Sequence, residues 1–371
     1  MKAVQVVKPG ELHVIDMEKP RIDPVNNVLI KISASGICGS DVGIYQGTNA
    51  AATYPRVIGH EIVGYVVEVG EGATKVKVGD RVIVDQVVPC GHCYACRKGR
   101  PNVCGNLRVR GVHIDGGYRE YMAVPDKDCY LVPDMLTDEE AVMIEPTTIA
   151  VQCCSRAQIE EIDDVMIVGC GALGSSILRI VKLFHPHSII VSDIDDAKLQ
   201  EALDNGATYA INSLKEDVPA RAHELTGGYG PTVTIDSACV KGSLLTALQS
   251  TGNAGRVITM GFATRPDEVN QFVITSKELD VRGSRLQNRK FQQVIDLVVR
   301  DPHFEWRINQ SCRPDQLFDD HSFALHQFVV GGRGAHVDRR ALQLLELGEG
   351  HRTVVLGRRE SESVLHEVFL A

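Results

Sequence analysis

Four cysteines lie close together in the segment PCGHCYACRKGRPNVC, with the spacing C-x2-C-x2-C-x7-C. Thiolates at this spacing can surround one tetrahedral metal ion, and zinc is the natural occupant because four sulfurs complete its coordination shell. A closed shell leaves no position for a substrate. We therefore predict a structural zinc held by Cys90, Cys93, Cys96 and Cys104. An iron–sulfur cluster also uses four cysteines and stays open as an alternative.

A second set of possible metal ligands is dispersed along the chain. It comprises Cys38 in GICGSD, the adjacent His60 and Glu61 in GHEIVG, and Glu145 in IEP. Cysteine, histidine and carboxylate groups all bind zinc, and three protein ligands plus a water describe a catalytic site with an open position. Each residue also has an ordinary structural interpretation, as a small core residue, a hydrogen-bonded imidazole or a solvated charge.

A glycine motif directly follows the apolar run VMIV. Gly169, Gly171 and Gly174 fit G-x-G-x-x-G ahead of a helix-like stretch, and Asp193 ends the next apolar run, SIIVSD. In a dinucleotide fold the glycines let the backbone approach the pyrophosphate, and the late acid binds the ribose hydroxyls. Because the Asp193 carboxylate would repel a 2′-phosphate, NAD is favoured over NADP. A turn in another α/β sheet, with Asp193 capping a helix, is the alternative.

These residues need two kinds of scaffold. Up to about residue 147, short β runs are broken by Gly and Pro, which is typical of an irregular, mainly β domain. From about residue 148, apolar β runs alternate with helical stretches, which predicts a doubly wound parallel sheet. The expected fold class is therefore α/β, and 371 residues are enough for two separate cores.

The composition argues against several classes of function. A formal net charge of −9 disfavours a nucleic-acid or anionic-membrane partner, because either would need a clustered basic surface. The N-terminal sequence lacks the features of a signal peptide, and no apolar stretch is long enough to span a bilayer. An odd count of 11 cysteines suits metal binding better than a disulfide framework. We expect a cytoplasmic protein that acts on a small molecule.

Taken in order, these signals resemble the zinc-containing medium-chain dehydrogenase/reductase family. The resemblance runs from residue 1 to about 298 and rests on GICGSD, GHE, the four-cysteine lobe, DGGYREY, IEP and GCGALG. Glu145 in an EP pair resembles the sorbitol, threonine and sugar-acid dehydrogenase branch. The resemblance implies a GroES-like catalytic domain at 1–147 with a zinc lobe at about 88–106, a Rossmann NAD-binding domain at 148–288, a return to the catalytic domain at 289–371, and an active site between the domains.

The resemblance also implies a reaction. Hydride would pass from a secondary alcohol, such as a polyol, sugar acid or amino alcohol, to NAD, with zinc acting as a Lewis acid on the substrate oxygen. Two zinc ions per chain and a homodimer or homotetramer are implied as well. The family's roles fall on zinc ligands at Cys38, His60 and Glu145, an exchangeable zinc contact at Glu61, proton transfer at Ser40, and cofactor contacts at Gly169, Gly171, Leu173, Gly174, Asp193, Lys198 and Arg285.

Two features depart from the family pattern. Many relatives have a proton-relaying histidine at the position of Gly43, so here the relay must end in another way, for example through water or a cofactor ribose hydroxyl. No lysine follows Lys290, and the sequence after about residue 299, which contains Trp306, is rich in arginine and histidine. A shifted reading frame near the codons for Val298 to Pro302 would explain this change, and divergence is the simpler alternative. Sequencing the gene distinguishes them. A one-base insertion or deletion that restores a family-like ending supports a shifted frame, and the lack of such an ending in either alternative frame contradicts it.

Two other functions stay open at this point. A zinc-free quinone-type reductase would lack the four-cysteine lobe and the set Cys38, His60 and Glu145. A non-catalytic zinc- and NAD-binding protein with a sensing or binding role is the main alternative, and Gly43 and the atypical ending favour it. Tyr45 and His113 are candidates for the substrate pocket, with structural roles as the alternative.

Overall fold

The computed structural model describes residues 1–262, 266–301 and 304, together with the backbone of 311–312 and 353–355. Two compact units make up this part of the chain. One holds Met1–Glu145 and the described residues from Phe291 onward, and the other holds Pro146–Lys290. The sequence around Trp306 lies outside the described residues.

The first unit is built mainly from short strands. In chain order its elements are β1 (Lys2–Lys8), β2 (Glu11–Asp16), β3 (Val28–Gly36), α1 (Gly39–Gln46), β4 (Arg56–Val57), β5 (Glu61–Val69), β6 (Arg81–Val84), β7 (Val87–Val88), α2 (Tyr94–Arg97), β8 (Arg108–Val109), β9 (Tyr121–Val124), β10 (Cys129–Leu131) and α3 (Asp138–Val142). Short 3-10 turns lie at Pro101–Val103 and Asp126–Asp128.

The second unit alternates strands and helices. Helix α4 (Ile144–Ala157) leads into it, followed by β11 (Asp164–Val168), α5 (Ala172–Lys182), β12 (Ser188–Asp193), α6 (Asp196–Asp204), β13 (Tyr209–Asn212), α7 (Val218–Leu225), β14 (Val233–Asp236), α8 (Ser243–Ser250), β15 (Arg256–Thr259), α9 (Gln271–Thr275) and β16 (Asp280–Gly283). The chain then returns to the first unit with α10 (Phe291–Arg300), β17 (Ser311–Cys312) and β18 (Thr353–Val355).

Antiparallel pairing organises the first unit. Among the described residues, one sheet has the order β18-β2-β1-β4, a second has the order β10-β6-β5-β3-β17 with β9 also paired to β3, and β7 pairs with β8. Aliphatic side chains of β3, β5, β6 and β9 form the core of the second sheet, as the alternating pattern of these strands predicts. The register sets Gly36 at the end of β3 opposite Glu61 at the start of β5.

The parallel sheet of the second unit confirms the predicted doubly wound fold. Its described strands follow the order β13-β12-β11-β14-β15-β16, which is the 3-2-1-4-5-6 order of Rossmann folds. The strands of this sheet are apolar because helices pack on them, and Met166, Ile190 and Val257 belong to the resulting core. The strand order reverses between the parallel neighbours β11 and β14, and dinucleotides bind at this point in such sheets. Within the described residues, no helix is both long enough and apolar enough to cross a membrane.

Candidate metal and dinucleotide sites

The four-cysteine lobe brings its sulfur atoms together. The Sγ of Cys93 lies 3.5 Å from that of Cys96 and 3.7 Å from that of Cys104, and the Sγ atoms of Cys104 and Cys90 are 3.4 Å apart. Four sulfurs placed about 2.3 Å from one central ion are separated by about 3.8 Å in a regular tetrahedron. The lobe therefore has nearly the dimensions of a tetrahedral zinc–thiolate site before any ion is considered.

The charge of the lobe also fits a cation. Backbone N–H groups of Cys96 and Gly105 lower the pKa of the Cys93 thiol to about 6. Burial and the neighbouring Cys93 sulfur raise the pKa of Cys96 to about 12. The Cys93 and Cys96 thiols thus do not ionise together on their own, whereas a divalent ion would stabilise thiolates in this lobe.

A second donor group forms where α1 and β5 begin. The ligand atoms of Cys38, His60 and Glu61 lie within 4.8 Å of one another. Cys38 is the N-cap residue of α1, Glu61 is the first residue of β5, and His60 and Glu61 are buried. The pairing of β3 with β5 thus joins two segments that are more than twenty residues apart in the sequence.

Gly36 makes room for this donor group. A Cβ atom at this position would lie 1.7 Å from Oε2 of Glu61 and 2.7 Å from Cγ1 of Val142. Any side chain at this position would therefore displace the Glu61 carboxylate. The need for glycine at position 36 was not predicted from the sequence, although Gly36 is the first residue of the GICGSD motif.

The carboxylate of Asp41 lies beside the buried imidazole of His60. Its Oδ1 lies 3.5 Å from Nδ1 of His60 and accepts a hydrogen bond from the Gly59 N–H at 3.2 Å. Its Oδ2 accepts from the Cys38 N–H at 3.0 Å and from the Tyr118 hydroxyl at 3.3 Å. A carboxylate on one ring nitrogen directs the other nitrogen toward a metal. Asp41 is not among the site residues predicted from the sequence, although it lies three residues after the candidate ligand Cys38.

Ser40 and Glu145 lie at the edges of the donor group. Ser40 Oγ is 3.4 Å from Nε2 of His60, within hydrogen-bonding distance of the nitrogen that faces away from Asp41. Glu145 is not a member of the group with ligand atoms within 4.8 Å, and its carboxylate instead accepts a hydrogen bond from Nε2 of Gln86. Nothing in the sequence pattern distinguished Gln86.

The buried acids of this region favour a cation. Burial and the neighbouring Cys38 raise the pKa of Glu61 well above its usual value, and burial raises that of Glu145 to about 8. Burial opposes charging of His60, but Asp41 and Cys38 more than offset it, so the pKa of His60 lies well above its usual value. Negative charge is therefore costly here without a positive group, and the thiol, imidazole and carboxylate donors suit zinc.

The glycine loop after β11 has little room for side chains. Gly169 has φ +93°, and a Cβ at Gly174 would lie 1.9 Å from the Gly169 carbonyl oxygen. A Cβ at Gly171 would meet no described atom within 4 Å. Protein packing thus explains the first and last glycines, whereas the open space at Gly171, the N-cap of α5, is where a phosphate group can approach the helix.

Asp193 lies beside this loop. Its Oδ2 accepts a hydrogen bond from the Cys170 N–H at 2.7 Å, so the acid and the glycine loop are held together. The ammonium of Lys198 lies 3.7 Å from Oδ1. Leu173 follows in the first turn of α5, and the guanidinium of Arg285 lies 5.4 Å from the centre of the Phe262 ring.

The two pocket candidates have structural contacts. The Tyr45 hydroxyl donates to the carbonyl of Gly10 at 3.2 Å, and Nδ1 of His113 accepts from the Val109 N–H at 3.1 Å. Gly43 lies within α1, where a Cβ would come 3.3 Å from the Thr48 hydroxyl.

Comparisons with known proteins match both units. The model of the alcohol dehydrogenase GroES-like domain matches residues 24–134, and that of the zinc-binding dehydrogenase matches residues 172–300. The starvation-sensing protein RspB of Escherichia coli K12 is 43% identical over 301 residues, which cover 81% of this chain and 88% of RspB.

Two solved structures add cofactors to the comparison. The crystal structure of a short chain alcohol dehydrogenase (rspB) from Escherichia coli CFT073, complexed with NADH, is 42% identical with a TM-score of 0.76 and covers 81% of this chain and 88% of that one. A zinc-binding dehydrogenase from Sinorhizobium meliloti, bound to NADP and described as putative, is 30% identical with a TM-score of 0.75 and covers 81% and 88%.

Proposed function

This chain belongs to the zinc-containing medium-chain dehydrogenase/reductase family, and from that premise we propose that it transfers hydride from a secondary alcohol to NAD. The family makes it an oxidoreductase that uses zinc and a nicotinamide cofactor. The polyols, sugar acids and amino alcohols are the substrate classes we propose. The observation that carries the proposal is the buried donor group of Cys38, His60 and Glu61 beside Glu145.

The residues of this group have different proposed roles. Cys38, His60 and Glu145 would hold the metal, with Glu61 as an exchangeable contact, while Asp41 keeps Nε2 of His60 directed toward it. When bound, the metal supplies Lewis acidity at the substrate oxygen and the nicotinamide supplies the hydride acceptor. Ser40 can receive the substrate's hydroxyl proton while it passes its own to water or a cofactor ribose hydroxyl, because its Oγ lies near Nε2 of His60 and a hydroxyl both accepts and donates. The four-cysteine lobe would hold a second, structural zinc.

The preference for NAD rests on Asp193. A carboxylate at the end of the second strand of a Rossmann sheet binds ribose hydroxyls and repels a 2′-phosphate. Lys198, 3.7 Å away, partly offsets that charge. The cofactor contacts would then come from Gly169, Gly171, Leu173, Gly174, Asp193, Lys198 and Arg285.

We also propose that two copies associate through β16. This strand pairs with β15 on one side, its other edge is unpaired among the described residues, and Val281 is 41% exposed. Antiparallel pairing of two copies about Val281 would set Asp280 of each copy opposite Arg282 of the other, which places opposite charges together. A dimer by light scattering that becomes a monomer in Val281→Lys supports this arrangement, and an unchanged mass contradicts it.

The function is tested by zinc analysis and turnover on one preparation. We expect two zinc ions per chain and NAD reduction with at least one member of a panel of polyols, hexonates and L-threonine. His60→Ala should retain one zinc and lose turnover, and Cys93→Ser should lose the other zinc. About one zinc per chain without turnover in the unmodified protein would contradict the proposal.

A sensing role is the second candidate, because a relative 43% identical to this chain is named a starvation-sensing protein. Such a protein would bind zinc and NADH without turning over any alcohol. Saturable NADH binding, measured by fluorescence, together with no turnover across the panel would favour this role.

A further inference from the structure

A buried amide lies beside one carboxylate of the metal site. Gln86, between β6 and β7, is fully buried, and its Nε2 donates a hydrogen bond to Oε1 of Glu145, which is also buried. The Gln86 backbone is fixed as well, because its carbonyl accepts from the Arg110 N–H at 3.0 Å. Both ends of this residue are therefore held in place.

The other end of the amide is unusual. Oε1 of Gln86 is buried and has no hydrogen-bond partner among the described residues. Buried polar atoms without partners are rare because they lose their hydration and gain nothing in exchange. When Glu145 is ionised, as metal binding requires, rotating the amide would not help, since it would set an oxygen against a carboxylate oxygen. The carboxylate thus determines the orientation, and the fold retains an unfavourable oxygen to keep a donor on Glu145.

We propose that Gln86 is a positioning residue that holds the Glu145 carboxylate for metal binding at the site of Cys38 and His60. This inference rests on the proposed function. A glutamate side chain is flexible and offers two oxygens, so a donor on Oε1 restricts its rotation. Partners of metal ligands commonly raise metal affinity in this way, by 10- to 100-fold.

The test measures metal affinity and stability separately. Gln86→Met has nearly the same length and removes both the donor and the unpartnered oxygen. In competition with a chelator, we expect about 10- to 100-fold weaker zinc binding at the Cys38–His60 site. The four-cysteine lobe should keep its zinc. The metal-free variant should melt close to the unmodified protein, because it loses the hydrogen bond to Glu145 together with the unpartnered oxygen. A purely structural glutamine would give the reverse pattern.

Two further variants sharpen the result. Gln86→Asn keeps an amide but withdraws it by one carbon, so it should also weaken zinc binding. Gln152→Met makes the same change at a buried glutamine of the second unit and should leave both zinc affinities unchanged. With Co²⁺ as the probe, the visible absorption of cobalt at the Cys38–His60 site should shift in Gln86→Met and stay unchanged in Gln152→Met.

The outcomes separate this inference from the function on which it rests. If the unmodified protein binds only one zinc, both fail. If it binds two and Gln86→Met binds both with unchanged affinity and cobalt spectrum, only the role of Gln86 is overturned.

Discussion

Replacing Asp41 by asparagine should weaken metal binding at the Cys38–His60 site and destabilise the protein by a similar free energy. The two carboxylate oxygens of Asp41 face four groups, and an asparagine has a single oxygen to offer them. If the new NH2 group faces His60 and Gly59, the ring proton moves to Nε2, where it blocks a metal. If it faces Cys38, two N–H donors oppose each other beside the ligand cysteine.

The expected losses of stability and of zinc affinity can be estimated from these contacts of Asp41. Losing one hydrogen bond to a charged acceptor costs about 1.5–3 kcal/mol of stability. Removing a partner of a metal-binding histidine weakens metal affinity by about 10- to 100-fold, equivalent to about 1.4–2.8 kcal/mol. The four-cysteine lobe should be unaffected, because the described polar contacts of Asp41 are with Cys38, Gly59, Tyr118 and His60.

The assay is zinc competition against a chelator, run beside thermal unfolding. Asp204→Asn provides a matched control, since Asp204 is exposed on α6 and its carboxylate accepts a hydrogen bond from Gln200. We expect one weakened zinc in Asp41→Asn and two unchanged zincs in Asp204→Asn. A variant at position 41 that binds both zincs as tightly as the unmodified protein would refute the reasoning.

Three further predictions follow from the same geometry. Gly174→Ala should abolish NADH binding, measured by fluorescence, while both zincs remain, because its Cβ would lie 1.9 Å from the Gly169 carbonyl oxygen; retained binding would contradict the tight loop. Asp193→Ala should raise kcat/KM for NADP relative to NAD, and an unchanged ratio would argue against that carboxylate as the selector. Burial raises the pKa of Glu145 from 4.5 to about 8, so the folded metal-free protein binds the proton more tightly and should lose stability as the pH rises through that range. Zinc should suppress this loss of melting temperature, and equal pH profiles with and without zinc would contradict it.

The four-cysteine lobe and the glycine loop could be predicted from the sequence because each is local. Four cysteines within fifteen residues can be brought together by one loop, and a strand, a glycine turn and a helix follow one another directly along the chain. The α/β fold class could be predicted for a related reason, because buried parallel strands leave continuous apolar runs between helices. The ligand roles of these residues stay predictions.

Other features needed the tertiary structure because they depend on contacts between distant segments. The register of β3 against β5 sets Gly36 opposite Glu61 and brings Cys38 to His60, and no local pattern encodes that register. Gln86 reaches Glu145 across 59 positions of sequence, so its donor to the carboxylate was invisible beforehand. The sequence by itself determined which groups could bind zinc and NAD, through residue type and local spacing. Only the tertiary structure decided that position 36 has no room for a side chain and which neighbouring residues orient the candidate ligands, because both depend on packing.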